Sequence, residues 1–84
     1  MTDPAVNESA SHDLRGLKCP LPAMLARRAL LRSQPGTCIA FLCDDPMAPI
    51  DVPHMCAQEG FDVVAMNREG ANARMVLRRP VPRP

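Results

Sequence analysis

A cysteine followed by two prolines within three positions, Cys19-Pro20-Leu21-Pro22, is the part of this 84-residue chain best arranged to do chemistry. Proline suits the first turn of a helix, where amides have no intrahelical partners, so Pro20 marks a helix start and puts Cys19 at or beside its N-cap. A thiol there faces the positive end of the peptide dipoles and free amide donors, and both favour the thiolate. Such a sulfur can attack a sulfane sulfur to form a persulfide and pass the terminal atom on by the exchange chemistry of disulfides. The prolines flanking Leu21 stiffen the junction and hold the sulfur at one angle. No general base is expected beside it: neither His12 nor His54 is placed for a Cys-His pair, which favours a carrier over a hydrolase. On local grounds the competing reading is an inert, buried cysteine.

The other residues with chemical potential point elsewhere less clearly. Cys38, Cys43 and Cys56 form no Cys-x-x-Cys pair with one another or with Cys19, and the two histidines lie far apart, so no metal site is expected. A net charge of +1, from ten Lys+Arg against nine Asp+Glu, creates no field that would make nucleic acid the main partner. With no Trp or Tyr and two Phe, a base-stacking platform is also unexpected. There is no basic-then-apolar leader and no run of about 18 apolar residues, so a reduced, cytoplasmic protein without membrane contact is expected.

These residues must be positioned by a single small domain. Residues 1–11 are polar and aperiodic, and residues 80–84 alternate proline, so both read as flexible tails around a domain at 12–79. A weak first strand spans roughly Ser9 to Leu14, and Gly16 lets the chain turn before Cys19. In the helix that follows, Pro22, Leu25, Ala26, Ala29 and Leu30 form the core stripe, and Pro35-Gly36 ends it. Thr37 to Cys43 reads as a buried strand, with Ile39, Phe41 and Cys43 on one side and Cys38, Ala40 and Leu42 on the other. Asp45-Pro46 signals a second helix, from about Pro46 to Gln58, which Pro53 should bend or divide. Gly60 ends it, and Phe61 to Asn67 and Ala73 to Arg78 then read as strands around a Glu69-Gly70 turn. The order βαβαββ predicts an α/β (α+β) two-layer sandwich: a four-stranded mixed sheet, first two strands parallel, with two helices on one face. Ala40, Leu42, Arg74, Val76 and Arg78 should line the other face.

The run Asp13-Leu14-Arg15-Gly16-Leu17-Lys18-Cys19-Pro20-Leu21-Pro22 resembles the hallmark of the TusA/SirA family of sulfur-carrier proteins: Asp, two residues, Gly, two residues, then Cys-Pro-x-Pro. Pro35-Gly36, Asp44-Asp45-Pro46-Met47-Ala48, Asp51-Val52-Pro53 and a closing strand ending in basic residues extend the likeness over about residues 12 to 79. The resemblance implies a sulfurtransferase-class carrier that needs no metal or organic cofactor. Its persulfide would be borne by Cys19, with Asp13, Gly16, Pro20 and Pro22 as the supporting motif. It implies a sulfur-donor protein, a cysteine desulfurase or another sulfurtransferase, and an acceptor in a sulfur relay. Within the family the destinations are tRNA thiolation, molybdenum-cofactor assembly and sulfur oxidation.

Two features fall outside that motif. Parallel first and second strands end at one edge of the sheet, which would bring Cys43 toward Cys19 as a second thiol; the plainer reading is a small residue filling the core. Leu21, Met24, Arg27, Arg28 and Leu31 form a mixed helix face, more apolar than water requires, and read as a docking surface around the sulfur or as a solvated face. Arg74, Arg78 and Arg79 add a weaker basic signal. Other functions consistent with the chain are a regulatory protein-binding module with a structural or redox-sensing Cys19, and a redox enzyme using Cys19 with Cys43. The chain is expected as a monomer or weak dimer.

Overall fold

The structure, a computed structural model, describes residues 8–82. Residues 1–7 and 83–84, most of the first tail and the end of the second, lie outside the described residues. In order come β1 (Glu8–Asp13), α1 (Leu21–Arg32), β2 (Cys38–Cys43), α2 (Ala48–Glu59), β3 (Asp62–Glu69) and β4 (Asn72–Arg78). The sheet order is β1-β2-β4-β3, with β1 and β2 parallel and the other neighbours antiparallel. This is the expected βαβαββ sandwich with a mixed sheet.

The alternation in β2 builds both layers. Ile39, Phe41 and Cys43 join Ala26 and Leu30 of α1, Val52, Met55 and Cys56 of α2, and Met75 and Leu77 of β4 in the main core. Burial of each large apolar side chain there stabilises the fold by about 1.5–3 kcal/mol before chain entropy is counted. Cys38 and Ala40 pack with Val76 on the opposite face, where Ala40 is paired with Val76 and Leu42 with Arg74. The α1 stripe is as expected: Pro22, Ala26 and Leu30 are buried, with Leu25 and Ala29 packed at its margins.

The differences from the sequence reading have local causes. β1 spans Glu8–Asp13, close to the strand expected over Ser9 to Leu14, so residues 8–11 belong to the sheet and not to the tail, and the partner strand β2 supplies their hydrogen bonds. The hairpin turns at Gly70-Ala71, one residue later than expected, with Gly70 at φ 57°. α2 runs undivided through Pro53. The amide Pro53 lacks would have pointed at Pro49, in the first turn, and burial of Val52, Met55 and Cys56 beyond it holds the helix together. Gly60 ends α2 at φ 78°, a left-handed position, and the amides of Gly60 and Phe61 both return to the Cys56 carbonyl.

Arg78 and Arg79 have structural uses. Arg79 donates to the Leu31 and Ser33 carbonyls at 3.2 and 2.8 Å and so closes the C-terminal end of α1. Arg78 pairs with Asp62 of the neighbouring strand at 2.7 Å.

Candidate functional site

The loop from β1 to α1 is pinned by acidic residues from the parallel strand beside it. It leaves the sheet at Leu14, which is buried and whose amide bonds the Leu42 carbonyl at 2.7 Å. Gly16 turns at φ 85°, where a side chain would be strained. Directly after β2, Asp44 accepts the Gly16 amide at 2.8 Å and Asp45 accepts the Cys19 amide. The other oxygen of Asp45 accepts the Met47 amide at 2.9 Å, ahead of α2. Asp45 is the buried charged residue among those described, and the two amides it receives hold its carboxyl below the ordinary carboxylate range. The tandem aspartates therefore tie the cysteine loop to the entry of α2. Sequence reasoning read Asp45 as a helix signal and both aspartates as part of the family likeness, without placing them at the cysteine loop.

Cys19 is exposed and sits one residue before Pro20, the N-cap of α1. Its peptide bond to Pro20 is cis. Its Sγ lies 2.6 Å from Oδ2 of Asp51, which stands in the first turn of α2. This overturns the expectation that no general base accompanies the thiol. It also reverses the expected electrostatics. The hydrogen bond to Asp51 comes first among the causes that push the Cys19 pKa above its ordinary 9.0, followed by shielding from water and the charges of Asp51 and Asp45.

The helix start does little to oppose them. Pro20 and Pro22 carry no N–H, and the Leu21 amide donates to the Lys18 carbonyl at 2.8 Å. The prolines that fix the sulfur's position also remove the amides that would have stabilised a thiolate. Cys19 thus rests as a thiol donating to a carboxylate.

Asp13 and Gly16 of the expected supporting motif make their hydrogen bonds within the loop and to Asp44, not to the sulfur. Asp13 holds Arg15 through its side chain, at 2.9 and 2.8 Å, and through its backbone amide at 3.1 Å, fixing the turn before Gly16. His12 stacks on Phe41, with ring centroids 5.4 Å apart, in a trough shared with Leu25 and Arg28.

Cys38, Cys43 and Cys56 are buried and, like Cys19, unpaired. Cys43 is fully enclosed in the main core, and burial pushes its thiol up to about 11. That is the setting of a packing residue, and it opposes the ionisation a second nucleophile would need.

Around Cys19 the mixed face of α1 divides. Leu21, Met24 and Leu31 are exposed along a ridge. Arg27 leans to α2 and pairs with Glu59 at 2.8 Å, whereas Arg28 turns to the other side, into the trough against β1. Met47 and Ile50, exposed beside the residues that contact Cys19, extend the apolar rim onto α2. Neither was read from the sequence.

One signal would have found the carboxylates. Strands that run parallel bring their C-terminal ends to one edge, so the residues after β2 must meet those after β1. Applied to Asp44, Asp45 and the first turn of α2, the argument used for Cys43 leads to the sulfur's true neighbours.

The fold is similar to the crystal structure of a SirA-like protein from Desulfitobacterium hafniense, with a TM-score of 0.73 over 86% of this chain and 99% of that one at 18% identity. The family model described as sulfurtransferase TusA matches residues 11–79, from the end of β1 past the end of β4, and so takes in the cysteine loop and both helices. The chain belongs to the TusA sulfurtransferase family.

Proposed function

We propose that this chain accepts sulfane sulfur from a persulfide-bearing donor protein, holds it as a persulfide on Cys19 and passes it to an acceptor protein. Membership of a sulfurtransferase family supports a sulfur-carrier role in general. The observation that carries the specific reading is that, of four unpaired cysteines, Cys19 alone is exposed. A persulfide there puts its terminal sulfur about 2 Å beyond Sγ, at a helix entry whose two helices carry exposed Leu21, Met24, Met47 and Ile50 at or near their first turns. That rim suits contact with a partner's apolar surface, and Arg28, which makes no ion pair among the described residues, suits an acidic margin on it.

Three free, buried thiols fit a reducing compartment, and we place the carrier in the cytoplasm. No helix among the described residues is long and apolar enough to cross a membrane.

The test is intact-mass measurement under non-reducing conditions after incubation with a cysteine desulfurase and cysteine. The wild-type chain should gain the mass of sulfur, and the Cys19→Ser variant should not. A gain that survives in the variant assigns the sulfur to another cysteine and refutes this reading.

A further inference from the structure

We propose that Asp51 is a catalytic residue of sulfur exchange: it takes the proton from Cys19 as the new sulfur–sulfur bond forms and returns it to the departing thiol. The inference rests on the reading of Cys19 as the sulfur carrier and adds the group that manages its proton.

Three carboxylates gather at the cysteine loop, and their hydrogen bonds separate their tasks. Asp44 accepts the Gly16 amide, and both oxygens of Asp45 are committed, to the amides of Cys19 and Met47. Among the described residues the Asp51 carboxylate makes no hydrogen bond or ion pair except with the Cys19 thiol, 2.6 Å from its Oδ2. Its backbone is fixed, since its amide donates to the Met47 carbonyl at 2.8 Å in the first turn of α2. A merely structural carboxylate here would be expected to bind the loop's amides, as its two neighbours do.

The chemistry requires such a group. The hydrogen bond to Asp51 holds the Cys19 pKa above that of an ordinary thiol, so the sulfur must shed its proton in order to attack. In the exchange, the Cys19 S–H bond breaks and its proton goes to Asp51. The freed electron pair on Sγ bonds the terminal sulfur of the donor's persulfide. The donor's sulfur–sulfur bond breaks, its electron pair leaves on the donor cysteine, and that thiolate takes the proton from the Asp51 carboxyl. A thiol and a persulfide thus become a persulfide and a thiol, without any added oxidant or reductant. Arg15, Lys18, Asp44 and Asp45 are the other charged groups of the loop cluster, and none of them hydrogen-bonds the sulfur.

The test separates ionisation from proton transfer. Asp51→Asn and Asp51→Glu, each checked for folding by far-UV circular dichroism, are compared with wild type in two assays. One is alkylation of Cys19 by iodoacetamide, which follows the thiolate fraction and returns no proton to a leaving thiol. The other is loading from glutathione persulfide, a donor small enough to make docking irrelevant. Asp51→Asn should alkylate faster than wild type at pH 7 and load about a hundredfold more slowly or worse, the usual range for loss of an acid–base group. Asp51→Glu should recover part of the loading rate. Loading by Asp51→Asn at or above the wild-type rate overturns the proposal, and so does a parallel slowing of alkylation and loading. Cys19→Ser run alongside keeps the two claims apart: if it still loads, the carrier reading fails whatever Asp51 does.

Discussion

Raising the pH from 8 to 10 should unfold this domain at a markedly lower urea concentration, through the two thiols sealed in its main core. Cys43 and Cys56 are at most 1% exposed, and burial pushes each thiol from 9.0 to about 11. The unfolded chain gives up those protons near 9.0 while the native chain keeps them. The stability tied to each thiol is therefore complete below pH 9 and is lost as the pH rises toward 11. At pH 10 the loss is about 1.4 kcal/mol per thiol, or about 3 kcal/mol for the pair. With a denaturant slope of about 1 kcal/mol per molar urea, suited to so small a chain, the midpoint falls by about 3 M. The chain has no tyrosine and its only lysine is Lys18, so few other side chains titrate in that window.

Urea melts followed by circular dichroism at pH 8, 9 and 10, in a Cys19→Ser background, measure the effect. Cys43→Ala and Cys56→Ala should each remove about half of the pH dependence, whatever they cost in stability at every pH. An unchanged dependence in Cys43→Ala would mean that Cys43 ionises in the native state like an exposed thiol. That result would refute the packing account and restore its candidacy as a second nucleophile.

Phe41→Ala should cost about 3–5 kcal/mol in the same melts, because the ring is almost wholly buried in the main core. Asp13 is held down to about 2, chiefly by its hydrogen bonds with Arg15, so its contribution to stability is present above the ordinary 3.8 and is lost as pH falls through 2. NMR titration should find its carboxyl near 2 in wild type and higher in Arg15→Ala, which keeps only the backbone amide as a partner; a wild-type value near 3.8 would contradict the pairing. Arg28→Glu should leave stability within about 0.5 kcal/mol yet slow loading from a cysteine desulfurase several-fold, with loading from glutathione persulfide unchanged. Equal loading from both donors would remove Arg28 from the docking surface.

What the sequence made visible was whatever rests on one element at a time. The alternation of Ile39, Phe41 and Cys43 against Cys38 and Ala40 is a property of one strand, and the Pro22, Ala26, Leu30 stripe of one helix, so both were readable. Cys19 was readable because prolines bracket a helix start. Its neighbours were not, since Asp45 and Asp51 reach it across 26 and 32 residues of chain.

The ionisation state of Cys19 was misjudged for a different reason. A helix start favours anions through its free amides, and here two of the three residues from Pro20 to Pro22 have none to offer. Counting N–H groups in the motif would have corrected that from the sequence alone. The strand read from Ser9 overlapped a tail read to residue 11 because its apolar pattern is weak, and pairing with β2 settles residues 8–11 as β1.

The most direct test of the central claim follows the sulfur itself. The chain is loaded by a cysteine desulfurase supplied with isotopically labelled cysteine, freed of donor, and digested without reduction so that the label can be placed on a peptide. The labelled sulfur should lie on the peptide containing Cys19, and should load equally in a chain whose Cys38, Cys43 and Cys56 are all alanine. Label on any of the three buried cysteines, or its loss when they are replaced in a chain that still folds, would contradict the account.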